Sequence, residues 1–98
     1  MRDLSKYQGI FPAFYACYDK AGQVSGEASR ALARYLLDKG VKGLYVGGSS
    51  GECIYQSVAE RKLTLEHVMA EVGGKMTIIA HVACNNTADS RELAAHAE

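Results

Sequence analysis

Leu44-Tyr45-Val46-Gly47-Gly48-Ser49-Ser50-Gly51-Glu52 carries a short apolar run into three glycines, two adjacent hydroxyls and a carboxylate. Glycine admits positive φ and lets a ligand approach the backbone closely. Hydroxyls and free N–H groups at such a turn suit a carboxylate or a phosphate. The stretch therefore reads as the end of a strand and the floor of a candidate site. It can bind a substrate but cannot do chemistry alone.

Upstream, Ser25 is a good N-cap and Glu27 puts negative charge in the first turn of a helix. Ala28, Leu32, Tyr35 and Leu36 repeat on one helical face, and Lys39 with Gly40 closes that helix. Gly9 to Tyr18 is aromatic and aliphatic almost throughout, as expected of a strand buried on both faces, with Pro12 confined to its start or an edge. Residues 1–8 read as a short polar arm.

Downstream, Ser57-Val58-Ala59-Glu60 is a capping box that starts a second helix at Ser57. Leu65, Val68, Met69 and Val72 keep its period until Gly73-Gly74. Met76 to Val82 is a third strand, rich in β-branched residues. Thr87 or Asp89 should cap a last helix through Leu93, Ala94 and Ala97. The expected elements are strands near 9–18, 41–46 and 76–82 and helices near 25–39, 57–72 and 88–98. Their β-α-β-α-β-α order and spacing of about thirty residues match βαβ units of a parallel sheet, an α/β fold.

Bulk properties exclude several classes. The 98 residues make one small domain or part of a larger one. Hydrophobic residues are 48% and charged residues 22%, an ordinary globular composition. Eleven basic and eleven acidic residues cancel, so nothing favours nucleic acid or an anionic membrane as partner. No apolar run approaches the roughly 20 residues of a membrane helix. Met1–Lys6 lacks an apolar h-region, so no signal peptide is expected and the location is read as cytoplasmic. Cys17, Cys53 and Cys84 are odd in number and lack CxxC spacing, which fits a reducing compartment and argues against zinc. They read as small buried hydrophobes.

Gly47-Gly48-Ser49-Ser50-Gly51 formally fits the G-x-S-x-G nucleophile elbow of serine hydrolases and follows a strand, as an elbow must. An elbow passes directly into a helix, however, and here the capping box delays the helix to Ser57. His67 lies mid-helix, His81 lies in a strand, and Asp89 and His96 stand very close in sequence for an acid and its base. The loop is not a dinucleotide or Walker fingerprint. Glu52 is a candidate general base, but it is read first as accepting backbone N–H bonds that hold the loop's shape. Cys53 sits near a helix entrance but reads as a structural thiol, and His81 as a hydrogen-bonded core residue rather than a metal ligand. Arg61-Lys62 and Arg91-Glu92 read as solvated helix faces. Tyr15, Tyr18, Tyr45 and Tyr55 are candidates to line a pocket. Neither metal nor organic cofactor is expected.

A Schiff-base lysine must be desolvated and aimed at its substrate. Lys6, Lys20, Lys39, Lys42, Lys62 and Lys75 fall in loops, at helix ends or beside glycine. None follows a strand in an apolar setting.

With these residues in view, Gly43-Leu44-Tyr45-Val46-Gly47-Gly48-Ser49-Ser50-Gly51-Glu52 closely resembles the substrate loop of the N-acetylneuraminate lyase branch of the pyruvate-dependent class I aldolases. Dihydrodipicolinate synthase belongs to the same family. The likeness continues through Gln56-Ser57, Glu60-Arg61, Ile79-Ala80-His81-Val82-Ala83-Cys84 and Thr87-Ala88-Asp89-Ser90, nearly the whole chain. The synthase branch usually has a Gly-Thr-Thr-Gly-Glu loop, so the form found here points to the lyase branch. One departure is Ala16-Cys17-Tyr18, where the family often has Thr-Pro-Phe.

The resemblance implies a TIM (β/α)8 barrel with its site at the C-terminal strand ends, of which this chain would supply about the first three βα units. It implies that Ser50 and the loop N–H groups hold a pyruvate carboxylate, that Ser49 also touches a proton-relay tyrosine, and that Gly47, Gly48, Gly51 and Glu52 shape the loop. The implied reaction cleaves N-acetylneuraminate through a lysine imine to N-acetylmannosamine and pyruvate, in a homotetramer. Lysine and tyrosine would both lie beyond Glu98.

A (β/α)8 barrel takes about 250 residues. The 98 residues are therefore expected to be an N-terminal part of such an enzyme, from a truncated reading frame or an incomplete sequence, and to be poorly stable and inactive alone. Three other readings stay open on sequence: a dihydrodipicolinate synthase-like aldolase, a self-contained α/β module whose glycine loop cradles a small anion, and the disfavoured serine hydrolase.

Overall fold

A computed structural model describes residues 3–98. Met1 and Arg2, the first residues of the expected polar arm and of the leader reading, lie outside the described residues. In chain order the structure holds helix α1 (Gly26–Asp38), strand β1 (Gly43–Val46), helix α2 (Val58–Val72), strand β2 (Thr77–Ala80) and helix α3 (Thr87–Ala97). Short 3-10 turns occupy Ser5–Tyr7, Ser49–Gly51 and Cys53–Tyr55.

β1 and β2 pair in parallel, Gly43 against Thr77 through Val46 against Ala80. Strand side chains alternate between faces. Leu44 and Val46 are buried with Phe14, Ala33, Val68 and Val72 in one cluster. Each large apolar side chain fully buried in this way contributes about 1.5–3 kcal/mol. Tyr45, between them in sequence, meets the His81 ring edge-on at 5.8 Å.

The expected first strand over 9–18 is reduced to an extended segment with a single parallel bridge, Ala13 to Tyr45. Tyr45 N–H donates to the Pro12 carbonyl (3.0 Å), and Phe14 N–H donates to the Tyr45 carbonyl (2.9 Å). The next rung toward the N-terminus would need Pro12 to donate to Gly43, and proline has no N–H. Burial on both faces is not found either. Phe14 is buried, whereas Tyr15 is 67% exposed.

α1 starts where Ser25 Oγ accepts from Ala28 N–H (3.0 Å). It buries Ser29 and Ala33, with Leu32, Leu36 and Leu37 packed against the core. Tyr35, expected on that face, turns outward, and the Lys39 ammonium lies over its ring at 5.3 Å. α2 carries the full capping box: Ser57 Oγ accepts from Glu60 N–H (3.1 Å), and Glu60 Oε1 accepts from Ser57 N–H (2.8 Å). α3 is capped by Asn86, not by Thr87 or Asp89. Asn86 Oδ1 accepts from Asp89 N–H (2.8 Å), which puts Asp89 in the first turn near the positive helix end.

Contacts between α1 and α2 and between α2 and α3 bring the helices together, with ion pairs Arg34–Glu71 (2.8 Å) and Lys62–Glu92 (2.5 Å) spanning those junctions. No helix among the described residues is long and apolar enough to cross a membrane.

Candidate functional site

The chain leaves β1 through Gly47, whose φ of 86° only glycine adopts without strain. Gly48 follows in extended backbone against the Tyr45 ring. Ser49–Gly51 then form one 3-10 turn, closed by Gly51 N–H and Cys53 N–H, both donating to the Gly48 carbonyl (3.0 and 3.3 Å). Glu52 N–H donates to the Ser49 carbonyl (3.0 Å). These bonds leave the N–H groups of Ser49 and Ser50 without an acceptor among the described residues. Both serines are exposed, and Gly51 is buried where a Cβ would stand 3.0 Å from the Phe14 carbonyl oxygen. A short turn with two exposed serines and two N–H groups unpaired among the described residues can take up a carboxylate or a phosphate.

Glu52 shapes the loop differently from the sequence expectation. Its carboxylate accepts no hydrogen bond from a described residue. Its backbone instead takes the left-handed conformation, φ 60° and ψ 36°, and its carbonyl accepts from Tyr55 N–H (2.9 Å). The residue joins the two 3-10 turns through its backbone.

Arg61 corrects a second expectation. Read as part of a solvated face, it is 7% exposed and points inward from α2. Nη1 donates to the Ala83 carbonyl (2.9 Å) and Nη2 to the His81 carbonyl (2.9 Å). Nη2 also reaches the Gly47 carbonyl and His81 Nδ1, each at 3.3 Å. The strand ends place these carbonyls around one point, which a planar guanidinium fork can fill and a helix-surface pattern cannot reveal. A clue lay in its position four residues after the cap Ser57, one turn into the helix and hence beside the loop.

An open cleft of about 550 Å³ lies between the Cys53–Val58 segment and the residues after β2, lined by Cys53, Ile54, Arg61, His81, Cys84 and Asp89 among others. Ser49 and Ser50 do not line it, although Cys53, just after the loop, does. Of the tyrosines expected around a pocket, Tyr15, Tyr18 and Tyr55 are exposed, and Tyr18 Oη accepts from Gln56 Nε2 (3.0 Å).

No hydrolase triad is assembled among the described residues. His96 Nε2 pairs with Glu66 (2.8 Å) and Asp89 with Asn86 Nδ2 (3.0 Å), and neither serine has an imidazole partner there. Cys53 is half-buried at the start of the Cys53–Tyr55 3-10 turn. Burial raises the Cys17 thiol above its ordinary value, a Ser29 hydrogen bond opposing the shift. Lys62 is paired with Glu92, and Lys20, Lys42 and Lys75 lie on the exposed surface. None of them faces the serines from an apolar setting.

Comparison with known proteins gives consistent matches. Residues 6–98 match the dihydrodipicolinate synthetase family. The chain is 65% identical over 98 residues to the N-acetylneuraminate lyase of Mediterraneibacter gnavus, covering 100% of this chain and 31% of that protein. Its structure is similar to that of a catalytic-lysine mutant of Ruminococcus gnavus sialic acid aldolase, with TM-score 0.97 and 65% identity over 99% of this chain and 32% of the other. An E. coli prophage protein of the dihydrodipicolinic acid synthase family, solved in complex with pyruvate, matches with TM-score 0.88 and 27% identity over 93% of this chain and 30% of its own. The chain thus spans about a third of the length of the relatives it matches.

Proposed function

The chain belongs to the dihydrodipicolinate synthetase family and supplies the first βα units of its (β/α)8 barrel, and from that premise we propose that the full-length protein is an N-acetylneuraminate lyase. In this reading it cleaves N-acetylneuraminate to N-acetylmannosamine and pyruvate. The observation that carries the proposal is the 65% identity to a lyase along the whole chain.

The chemistry divides between this segment and the rest of the barrel. Ser50 and the N–H groups of the Ser49–Gly51 turn hold the carboxylate that becomes pyruvate. Ser49 also touches a tyrosine that moves protons. Gly47, Gly48 and Gly51 keep the turn open to the ligand, and Glu52 sets its exit direction. The imine-forming lysine and the relay tyrosine we place outside residues 1–98, since no lysine of this segment is both desolvated and aimed at the loop. The working enzyme is proposed to be a cytoplasmic homotetramer that needs no cofactor.

The test is direct. Full-length protein incubated with N-acetylneuraminate should release N-acetylmannosamine and pyruvate in equal amounts. Borohydride with pyruvate should add a stable mass to the full-length protein and none to residues 1–98 alone. Faster turnover on pyruvate with an aldehyde of the synthase type than on N-acetylneuraminate would favour the synthase branch instead.

A further inference from the structure

Arg61 is a buried cation with no carboxylate partner among the described residues. A desolvated charge persists only when hydrogen bonds replace the water it has lost. Three carbonyls do this for the two ends of the Arg61 fork: Ala83 (2.9 Å), His81 (2.9 Å) and Gly47 (3.3 Å). Guanidinium can only donate, so the 3.3 Å contact from Nη2 to His81 Nδ1 has the ring nitrogen as its acceptor. The capping box at Ser57 sets the start of α2 and so aims this side chain at the strand ends.

We infer that Arg61 is a positioning residue for the carboxylate loop: by tying the Gly47 carbonyl to the end of β2, it fixes the turn on which Ser49 and Ser50 stand. It does not touch the substrate. Gly47 is two residues from Ser49, and its φ of 86° gives the turn its direction, so movement of its carbonyl swings both serines. Lysine keeps the charge, but a single ammonium cannot match a planar fork spread over carbonyls from two strand ends. The Lys variant therefore separates charge from geometry.

The inference deepens the proposed function and rests on it for the identity of the ligand. Its test uses full-length wild type, Arg61→Lys and Arg61→Met. The readouts are the pyruvate concentration that half-saturates borohydride trapping, and the kinetics of N-acetylneuraminate cleavage. In Arg61→Lys, half-saturating pyruvate and KM should both rise about tenfold while kcat stays within about threefold, the signature of lost ground-state positioning. Arg61→Met should shift further wherever it folds. Unchanged pyruvate saturation in Arg61→Lys overturns the inference, as does a fall in kcat alone. Loss of the folded state in both variants would assign Arg61 to stability and overturn it too. Wild type that traps pyruvate but leaves N-acetylneuraminate intact overturns the proposed substrate and spares Arg61, because trapping reads the loop by itself.

Discussion

Gly48 lies against the ring of Tyr45: a Cβ built on the glycine would stand 2.6 Å from Tyr45 Cε1. The strand that brings the chain to the loop thus packs one of its own side chains beneath it. Gly48→Ala should push the ring or the turn aside. Because the ring is bulky and also meets the His81 ring, overpacking should cost about 1–3 kcal/mol. Denaturant unfolding of the full-length protein measures the loss, and pyruvate trapping should weaken with it. Unaltered stability would show that the ring moves freely.

Glu52 provides a sharper test of how the loop is shaped. At φ 60° a non-glycine residue carries about 1–2 kcal/mol of strain. Glycine relieves it but adds about 0.5–1 kcal/mol of unfolded-state freedom. Glu52→Gly should therefore stay within about 1 kcal/mol of wild type and keep pyruvate binding. Glu52→Val, β-branched and ill suited to the left-handed region, should lose about 2 kcal/mol or more. Loss of binding in Glu52→Gly with full stability would restore the carboxylate to a direct role.

Ser57 tests a helix start that was visible in the residues themselves. Its hydroxyl and the Glu60 carboxylate each satisfy a backbone N–H (3.1 and 2.8 Å). Ser57→Ala should cost about 1 kcal/mol, read as a lower denaturant midpoint, and Ser57→Asp should recover most of it. A Ser57→Ala variant as stable as wild type would mean that tertiary packing alone fixes the start of α2.

The features legible in sequence were those written in neighbouring residues. Ser25, the Ser57–Glu60 box, and Gly40 and Gly74 at positive φ are local devices, and one stretch of chain suffices to specify them. The glycine-serine turn was legible for the same reason. Features that failed depend on residues far apart. Pro12 breaks the ladder only in the register that faces Gly43, so the 9–18 strand could not be judged alone. Arg61 is buried because carbonyls at positions 47, 81 and 83 converge on it, and no helical period encodes that. Asn86 displaced Thr87 as cap because adjacent polar residues compete for the role and only backbone geometry decides.

Cys17 supplies a pH dependence. Desolvation raises its thiol above the ordinary value of 9.0, so the folded state prefers the neutral form. The stability linked to it is complete below the unfolded value and is lost as pH rises through the folded one. From about pH 8 upward, across the ordinary thiol range, the wild type should therefore lose more melting temperature than Cys17→Ala. Parallel curves for the two proteins would show that the thiol stays solvated enough to ionise freely.

Ser49 and Ser50 are adjacent, both exposed, and expected to differ in function. Exposed hydroxyls contribute little to stability, so Ser49→Ala and Ser50→Ala should each unfold within about 0.5 kcal/mol of wild type. Ser50, proposed to bind the carboxylate, makes a hydrogen bond to a charged group worth about 1.5–3 kcal/mol. Ser50→Ala should therefore raise half-saturating pyruvate about 10–100-fold in the trapping assay. Ser49, proposed to touch the relay tyrosine, should act on proton movement. Ser49→Ala should lower kcat for N-acetylneuraminate by about 10-fold or more with a smaller change in pyruvate saturation. The same profile in both variants would mean that the hydroxyls serve one carboxylate together. No effect in either would leave the backbone N–H groups of the turn as the whole cradle.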